Sequence, residues 1–274
     1  MFPFNTVEVA GRVAHLLAFS ALNAFCACAP KLEVGAWTCP ASADAGVDAA
    51  SLDPTAPITV PWSTGFETRF CDYNALTGFC YADANASAET VTSPKHAGQF
   101  AAAFHVNSDD SNAHQVRCVR QGVLPVEAYY GAWYFVPALV DTNAQLWNLF
   151  HFRGDDPSTE PGLWDVSLVN GASGDLELVV FDFLNKTVRR PQNPTPIPIG
   201  SWFHLQLYVK RAVDATGEIR LYQDGQLLFD AAGVVTAVDG TTFHQWYVGN
   251  LVDTGISPAD SVVYVDDVTI SATL

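Results

Sequence analysis

Two short runs carry residue types that could move protons or hold sugars. In Trp202–Arg211 (WFHLQLYVKR), Phe203, Leu205, Leu207 and Val209 alternate with Trp202, His204, Gln206, Tyr208 and Lys210. A strand repeats every two residues, so one set enters a core and the other is displayed. The displayed row holds two aromatics, an imidazole, an amide and an ammonium. Such a row suits stacking on sugar rings or acid/base work on a sugar. The same period applied to Leu146–Arg153 puts Trp147, Leu149, His151 and Arg153 on one face. Asn148, Phe150 and Phe152 then lie on the other. If the two strands share a concave sheet, His151, Arg153, His204, Gln206, Tyr208 and Lys210 converge.

The rest of the chain must position these groups. It has 274 residues, of which 12% are aromatic and only 15% charged, a balance that favours a well-buried β-rich protein over a disordered one. The net charge of −16 argues against nucleic acid and anionic membrane surfaces as partners. Charge is unevenly spread: nine of the 13 basic residues lie between Arg117 and Arg220, and the last 54 residues carry seven Asp and no Lys or Arg. Scattered solvated charge is the first expectation, with a locally basic strip within an acidic protein as the alternative.

The N-terminus reads as an export signal over residues 1–29. Arg12 precedes an apolar run, and Ala27-Cys28-Ala29 offers a small-residue cleavage site. His15, Ser20 and Asn23 interrupt the run, which argues against a permanent span. Cys26 or Cys28 as a lipid-modified residue is the other reading, which would anchor the protein in a bacterial cell envelope instead of releasing it. Residues 30–60, rich in Ala, Asp, Pro and Ser, read as a tether. The remaining cysteines, Cys39, Cys71, Cys80 and Cys118, suit an oxidising compartment. Cys71 and Cys80 flank a turn-like segment and are expected to pair, which leaves Cys39 for Cys118.

From Pro61 onward, about a dozen short alternating runs are separated by Gly, Pro, Asn and Asp. Gly65–Cys71 is expected to be the first. Asp224-Gly225 should close a two-residue hairpin, and Ala172-Ser-Gly a second turn. Pro191–Pro198 is an extended connection. The expected fold is an all-β, two-sheet antiparallel sandwich over residues 61–274.

Gly200-Ser-Trp-Phe-His-Leu-Gln-Leu-Tyr-Val-Lys, followed by Thr216-Gly-Glu-Ile-Arg-Leu-Tyr-Gln-Asp-Gly-Gln-Leu-Leu, resembles the concanavalin A-like jelly-roll superfamily. The likeness is closest to its laminin-G-like branch and to its polysaccharide-lyase branch, including the heparin lyase I-like group. Glu127–Pro137 resembles the strand those lyases carry before a Q-x-H strand, and Val263–Ser271 resembles their closing strand. The resemblance implies a jelly roll and a glycan ligand. Where the lyases place Gln and His two apart, this chain has Leu149-Phe150-His151, so the His carries over and the Gln does not. The E-x-D-x-x-E spacing of related glycoside hydrolases is absent from the sequence.

A uronate lyase needs a group to neutralise the sugar carboxylate, a base for the adjacent C–H, and an acid for the leaving oxygen. Arg153 or Gln206 could neutralise, His151 or His204 could be the base, and Tyr208 the acid. Tyr129, Trp147 and Trp202 could stack on pyranose rings, with Arg117 and Lys210 adding positive charge. The expectation drawn first is an exported protein that binds glycan chains. A polysaccharide lyase is the second reading and a non-catalytic adhesion protein the third. Glu67 in the first strand and Asp266 and Asp267 in the last would meet if those strands are neighbours, resembling the structural Ca²⁺ site of carbohydrate-binding jelly rolls.

Overall fold

The computed structural model describes residues 57–74, 78–109, 112–154, 163–238 and 244–274. The export segment, most of the tether and Cys39 lie outside the described residues. In chain order the elements are β1 (Trp62–Thr64), α1 (Cys71–Asn74), β2 (Phe79–Ala82), β3 (Ala86–Val91), β4 (Ala101–Asn107), β5 (His114–Gly122), β6 (Glu127–Phe135) and β7 (Trp147–Gly154). They continue with β8 (Trp164–Asn170), β9 (Leu176–Asp182), β10 (Thr187–Arg189), β11 (Trp202–Lys210), β12 (Gly217–Gln223), β13 (Gln226–Val234), β14 (His244–Val252) and β15 (Asp260–Ser271).

The strands form two antiparallel sheets. One runs β13-β12-β11-β6-β15-β4-β3, with β1 also paired to β15; the other runs β10-β9-β8-β7-β14-β5-β2. Side chains that alternate inward from each sheet fill the space between them: Phe203, Leu205 and Leu207 from β11 meet Phe150, Phe152 and Trp246 from the facing sheet, all buried. Burying such apolar faces is the main favourable term in folding and explains why the period-two pattern was so legible. The Asp224-Gly225 hairpin joins β12 to β13, with φ of 50° and 77° as that turn requires.

Two expectations are corrected. Gly65–Cys71 is not a strand. Phe66 and Arg69 adopt positive φ (58° and 62°), and the chain coils into a turn that puts Phe66, Phe70 and Tyr73 in the core. Aromatic burial here overrides local strand propensity. The cysteine pairing also differs. Cys80 of β2 faces Cys118 of β5 in register, with Cα atoms 4.0 Å apart, and these two form a disulfide with each other. Cross-strand adjacency brings them together although 38 residues separate them in sequence.

Candidate active site

The two runs that opened the sequence reading lie on different sheets. β11 pairs with β6 and β12, while β7 pairs with β14 and β8. His151 and Arg153 therefore do not converge with His204, Gln206, Tyr208 and Lys210. Each group faces outward from the opposite side of the sandwich.

The face of β7 is also shifted from simple alternation. In the β7–β14 ladder, Phe150 pairs with Val248 and Asn148 with Leu251, so Gly249 and Asn250 oppose Leu149 alone. This is a β-bulge, with two residues against one. Leu149 and Phe150 both turn into the core, Trp147 follows them, and Asn148 emerges beside His151 and Arg153. Buried hydrogen bonds hold the bulge: Tyr134 Oη donates to the Leu149 carbonyl (3.0 Å) and Trp147 Nε1 to Asn250 Oδ1 (2.7 Å). Trp147 is therefore core, not a sugar platform. The amide nearest His151 on this strand is Asn148, three residues before it.

Around His151 a polar cluster forms on the outer face of the seven-stranded sheet. Asp165, its partner on β8, places Oδ1 2.5 Å from His151 Nδ1. Tyr247 faces His151 across the β7–β14 ladder, with ring centroids 5.0 Å apart. Arg117 of β5 crosses over Gly249: a Cβ on Gly249 would sit 2.3 Å from the Val116 carbonyl and 2.8 Å from Arg117 Cα. Arg117 Nη2 then donates to Asn148 Oδ1 (3.0 Å), and its guanidinium lies 5.4 Å from the Tyr247 ring centroid. Asn148 Nδ2 donates to the Phe150 carbonyl (3.0 Å), so Asn148 is held from both ends and fixes Arg117. Tyr247 Oη donates to Gln245 Oε1 (2.5 Å), and Gln245 Nε2 to Gln121 Oε1 (2.7 Å). Burial pushes the His151 imidazole below its ordinary pKa, while the Asp165 carboxylate pulls it back up. A neutral imidazole with Nδ1–H on Asp165 leaves Nε2 as a base. Asp253, just past β14, is pushed up to about 6 by burial and by Asp165, with Arg117 opposing.

The other displayed row is self-engaged. Trp133 is stacked between His96 (centroids 3.8 Å) and His204 (5.1 Å), and His96 Nδ1 lies 2.7 Å from Asp267. Trp202 packs against Phe135. Tyr208 Oη donates to Glu127 (2.6 Å), its ring touches Tyr129, and Arg220 lies over it. Burial and Glu127 raise the Tyr208 phenol above its ordinary pKa. Gln206 is buried and Lys210 half-buried.

Glu67, Asp266 and Asp267 do gather at one corner. Glu67 and Asp266 already accept from backbone, Gln99 and Phe100 N–H on Glu67 Oε1, His96 and Ala97 N–H on Asp266 Oδ2, and Asp267 N–H on Asp266 Oδ1, while Asp267 Oδ2 meets the His96 ring. Among the described residues no group of three His, Cys, Asp or Glu is arranged to hold a metal ion. In this arrangement the carboxylates clasp the 96–100 loop.

The family described as Polysaccharide lyase matches residues 61–269. The chain belongs to this polysaccharide lyase family. Membership implies a polysaccharide as its partner and agrees with the jelly-roll resemblance. Solved structures agree on the fold of this lyase-family chain. It is similar to an endo-β-1,4-glucuronan lyase from the fungus Trichoderma reesei (18% identity, TM-score 0.55, 71% of this chain and 90% of that one). It is also similar to an alginate lyase of group PL-14 from Aplysia kurodai (12% identity, TM-score 0.52, 78% and 99%). The cellulose induced protein Cip1 is a third (13% identity, TM-score 0.51, 77% and 97%). No curated protein sequence matches the chain.

Of the residues the sequence pointed to, His151, Arg153 and Arg117 stand on the outer face of the seven-stranded sheet. Tyr247, Asn148 and Asp165 were missed. The signals for them were present but weak: Gln245, Tyr247 and Gly249 alternate with Trp246 and Val248, and Asp165 is the one charge in the run Leu163–Val169.

Proposed function

We propose that this protein cleaves a uronate-containing polysaccharide by β-elimination on the outer face of its seven-stranded sheet. The observation that carries this reading is the juxtaposition of His151, Tyr247 and Arg117, with Asp165 behind the imidazole and Asn148 behind the guanidinium. The Arg117 guanidinium neutralises the sugar carboxylate, which makes the neighbouring C5–H acidic. His151 Nε2 takes that proton. The C4–O4 bond breaks as the C4=C5 double bond forms, and the Tyr247 hydroxyl protonates the departing oxygen. Proton count balances: one is taken by His151 and one is given by Tyr247, and solvent resets both.

The alternative of glycan binding without chemistry uses the same sheet face, and one experiment separates them. Polyglucuronate and alginate are incubated with wild-type protein and with Tyr247→Phe, and ultraviolet absorbance of the new double bond is recorded. The lyase reading expects turnover by the wild type and a loss of about 100-fold or more in kcat for the variant, the usual scale for removing a general acid. Binding of these polymers without absorbance change at any pH between about 5 and 9, where His titrates, would favour the binding reading.

A further inference from the structure

The His151 row is bordered on both sides by aromatic pairs that neither the mechanism nor the core uses. On one flank, Tyr81 of β2 stands beside Arg117 in the β2–β5 ladder, with Phe79 on the same face (centroids 5.8 Å). On the other, Phe181 of β9 stands beside Asp165 in the β8–β9 ladder, with Phe183 4.7 Å away by centroid. All four residues are half-buried, on the outer face of a sheet whose inner face packs into the core. The part of each ring left open presents apolar surface that sugar C–H faces can cover.

The two flanks differ in their polar company. Tyr81 Oη donates to Gln115 Oε1 (2.8 Å), a neutral pair that suits sugar hydroxyls. Phe183 lies edge-on to His151 (5.7 Å) and carries the exposed Lys186 ammonium over its ring at 5.2 Å. An aromatic face with a cation above it suits a sugar that has both an apolar face and a carboxylate. From β2 to β9 the sheet runs through β5, β14, β7 and β8, five strand spacings or about 24 Å across. That span accommodates several sugar rings.

We propose that a polyuronate chain lies across the strands, with one ring on Tyr81, the reacting uronate over His151 and Tyr247, and a further uronate on Phe181 and Phe183 under Lys186. The assignment rests on the lyase reading for its reacting unit but not for its flanks. It makes the enzyme selective for chains long enough to touch both flanks, and it demands a charged sugar on the β9 side.

The test uses full-length protein, with the Tyr247→Phe background for calorimetric binding so that substrate is not consumed. Probes are di-, tri- and hexasaccharides of glucuronate and of alginate. Tyr81→Ala and Phe181→Ala should each weaken hexasaccharide binding about tenfold and leave disaccharide binding within twofold. Phe181→Leu should match Phe181→Ala, which guards against a folding artefact. Lys186→Ala should flatten the salt dependence of hexasaccharide affinity. Hexasaccharide Kd within twofold of the parent in both aromatic variants overturns the proposal, even if the wild type is an active lyase. Tenfold losses in a protein that turns over no polyuronate would uphold the flanks and sink the lyase reading instead.

Discussion

Asp165→Asn tests the chemistry most sharply, because it removes charge with almost no change in shape. Asp165 and His151 are only 6% and 8% exposed, and their contact is 2.5 Å, so solvent screens the pair little. A hydrogen bond to a charged partner in such a place is worth about 2 kcal/mol, and a factor of ten in rate corresponds to about 1.4 kcal/mol. The variant should therefore lose about 30-fold in kcat. The asparagine can also present its NH₂ to Nδ1, which moves the imidazole proton to Nε2 and deepens the loss. The direction in pH follows from the same contact. The carboxylate favours the protonated imidazole and opposes the lowering caused by burial. Without it the His151 pKa drops further, so the acid limb of kcat/KM, which reports loss of the free base, should move to lower pH. Initial rates on polyglucuronate across pH 4 to 9, with a melting curve to confirm folding, measure both effects. A variant that is slow but whose acid limb stays in place, or moves up, would refute Asp165 acting through His151. Asp165→Glu should recover part of the rate if charge is what matters.

Gly249→Ala should be costly in both stability and activity. Its Cβ would meet the Val116 carbonyl at 2.3 Å and Arg117 Cα at 2.8 Å, both backbone, so the β5–β14 ladder must part. A loss of about 3 kcal/mol is expected in urea unfolding, and an unchanged midpoint would contradict it. Asp253→Asn should stabilise the protein at neutral pH. The folded carboxyl sits near 6, above its unfolded value, so ionising it in the folded state costs stability as pH rises from about 4 through 6. The gain should be about 3 kcal/mol at pH 8 and fall below about 1 kcal/mol at pH 4, whereas equal gains at both would rule out the charge as the cause. His204→Ala and Trp202→Ala, on the opposite sheet, should leave kcat and KM on polyuronate within about twofold, since neither reaches the His151 cluster; a tenfold loss in kcat would reopen the convergent arrangement. Structural Ca²⁺ at Glu67, Asp266 and Asp267 remains a proposal, tested by a melting temperature that rises with Ca²⁺ and falls with EDTA. Indifference to both would leave the carboxylates as a clasp on the 96–100 loop alone.

The strand content, the Asp224-Gly225 hairpin and the two-sheet sandwich were all legible in the chain, because each rests on local rules: alternation, a positive-φ turn and a run of short strands. His151 drew notice in the chain through its residue type and its place in a lyase-like run, and it stands on the outer face of the seven-stranded sheet. What alternation cannot say is which sheet a strand joins. Trp202–Lys210 shows a clean displayed row, yet pairing with β6 and β12 puts it on the far side from His151, where its rings cover one another. Nor does alternation survive a bulge. Leu149, unmatched between the Asn148–Ser167 and Phe150–Val166 pairs of the β7–β8 ladder, reverses the parity of β7, sends Trp147 into the core and brings Asn148 out to hold Arg117. The irregularity is matched on both neighbours, by Gly249 and Asn250 of β14 and by the step from Val166 to Ser167 of β8, so alternation within β7 alone does not encode it. Tyr247, Asp165 and Arg117 reach His151 only by pairing of β14, β8 and β5 around β7, and the Cys80–Cys118 link follows from the register of β2 on β5. The sequence by itself determined that there would be two apolar faces to bury and which residues could line them. The tertiary pairing decided which polar side chains share a face, because hydrogen-bonded register between strands distant in sequence is a property of the whole sheet.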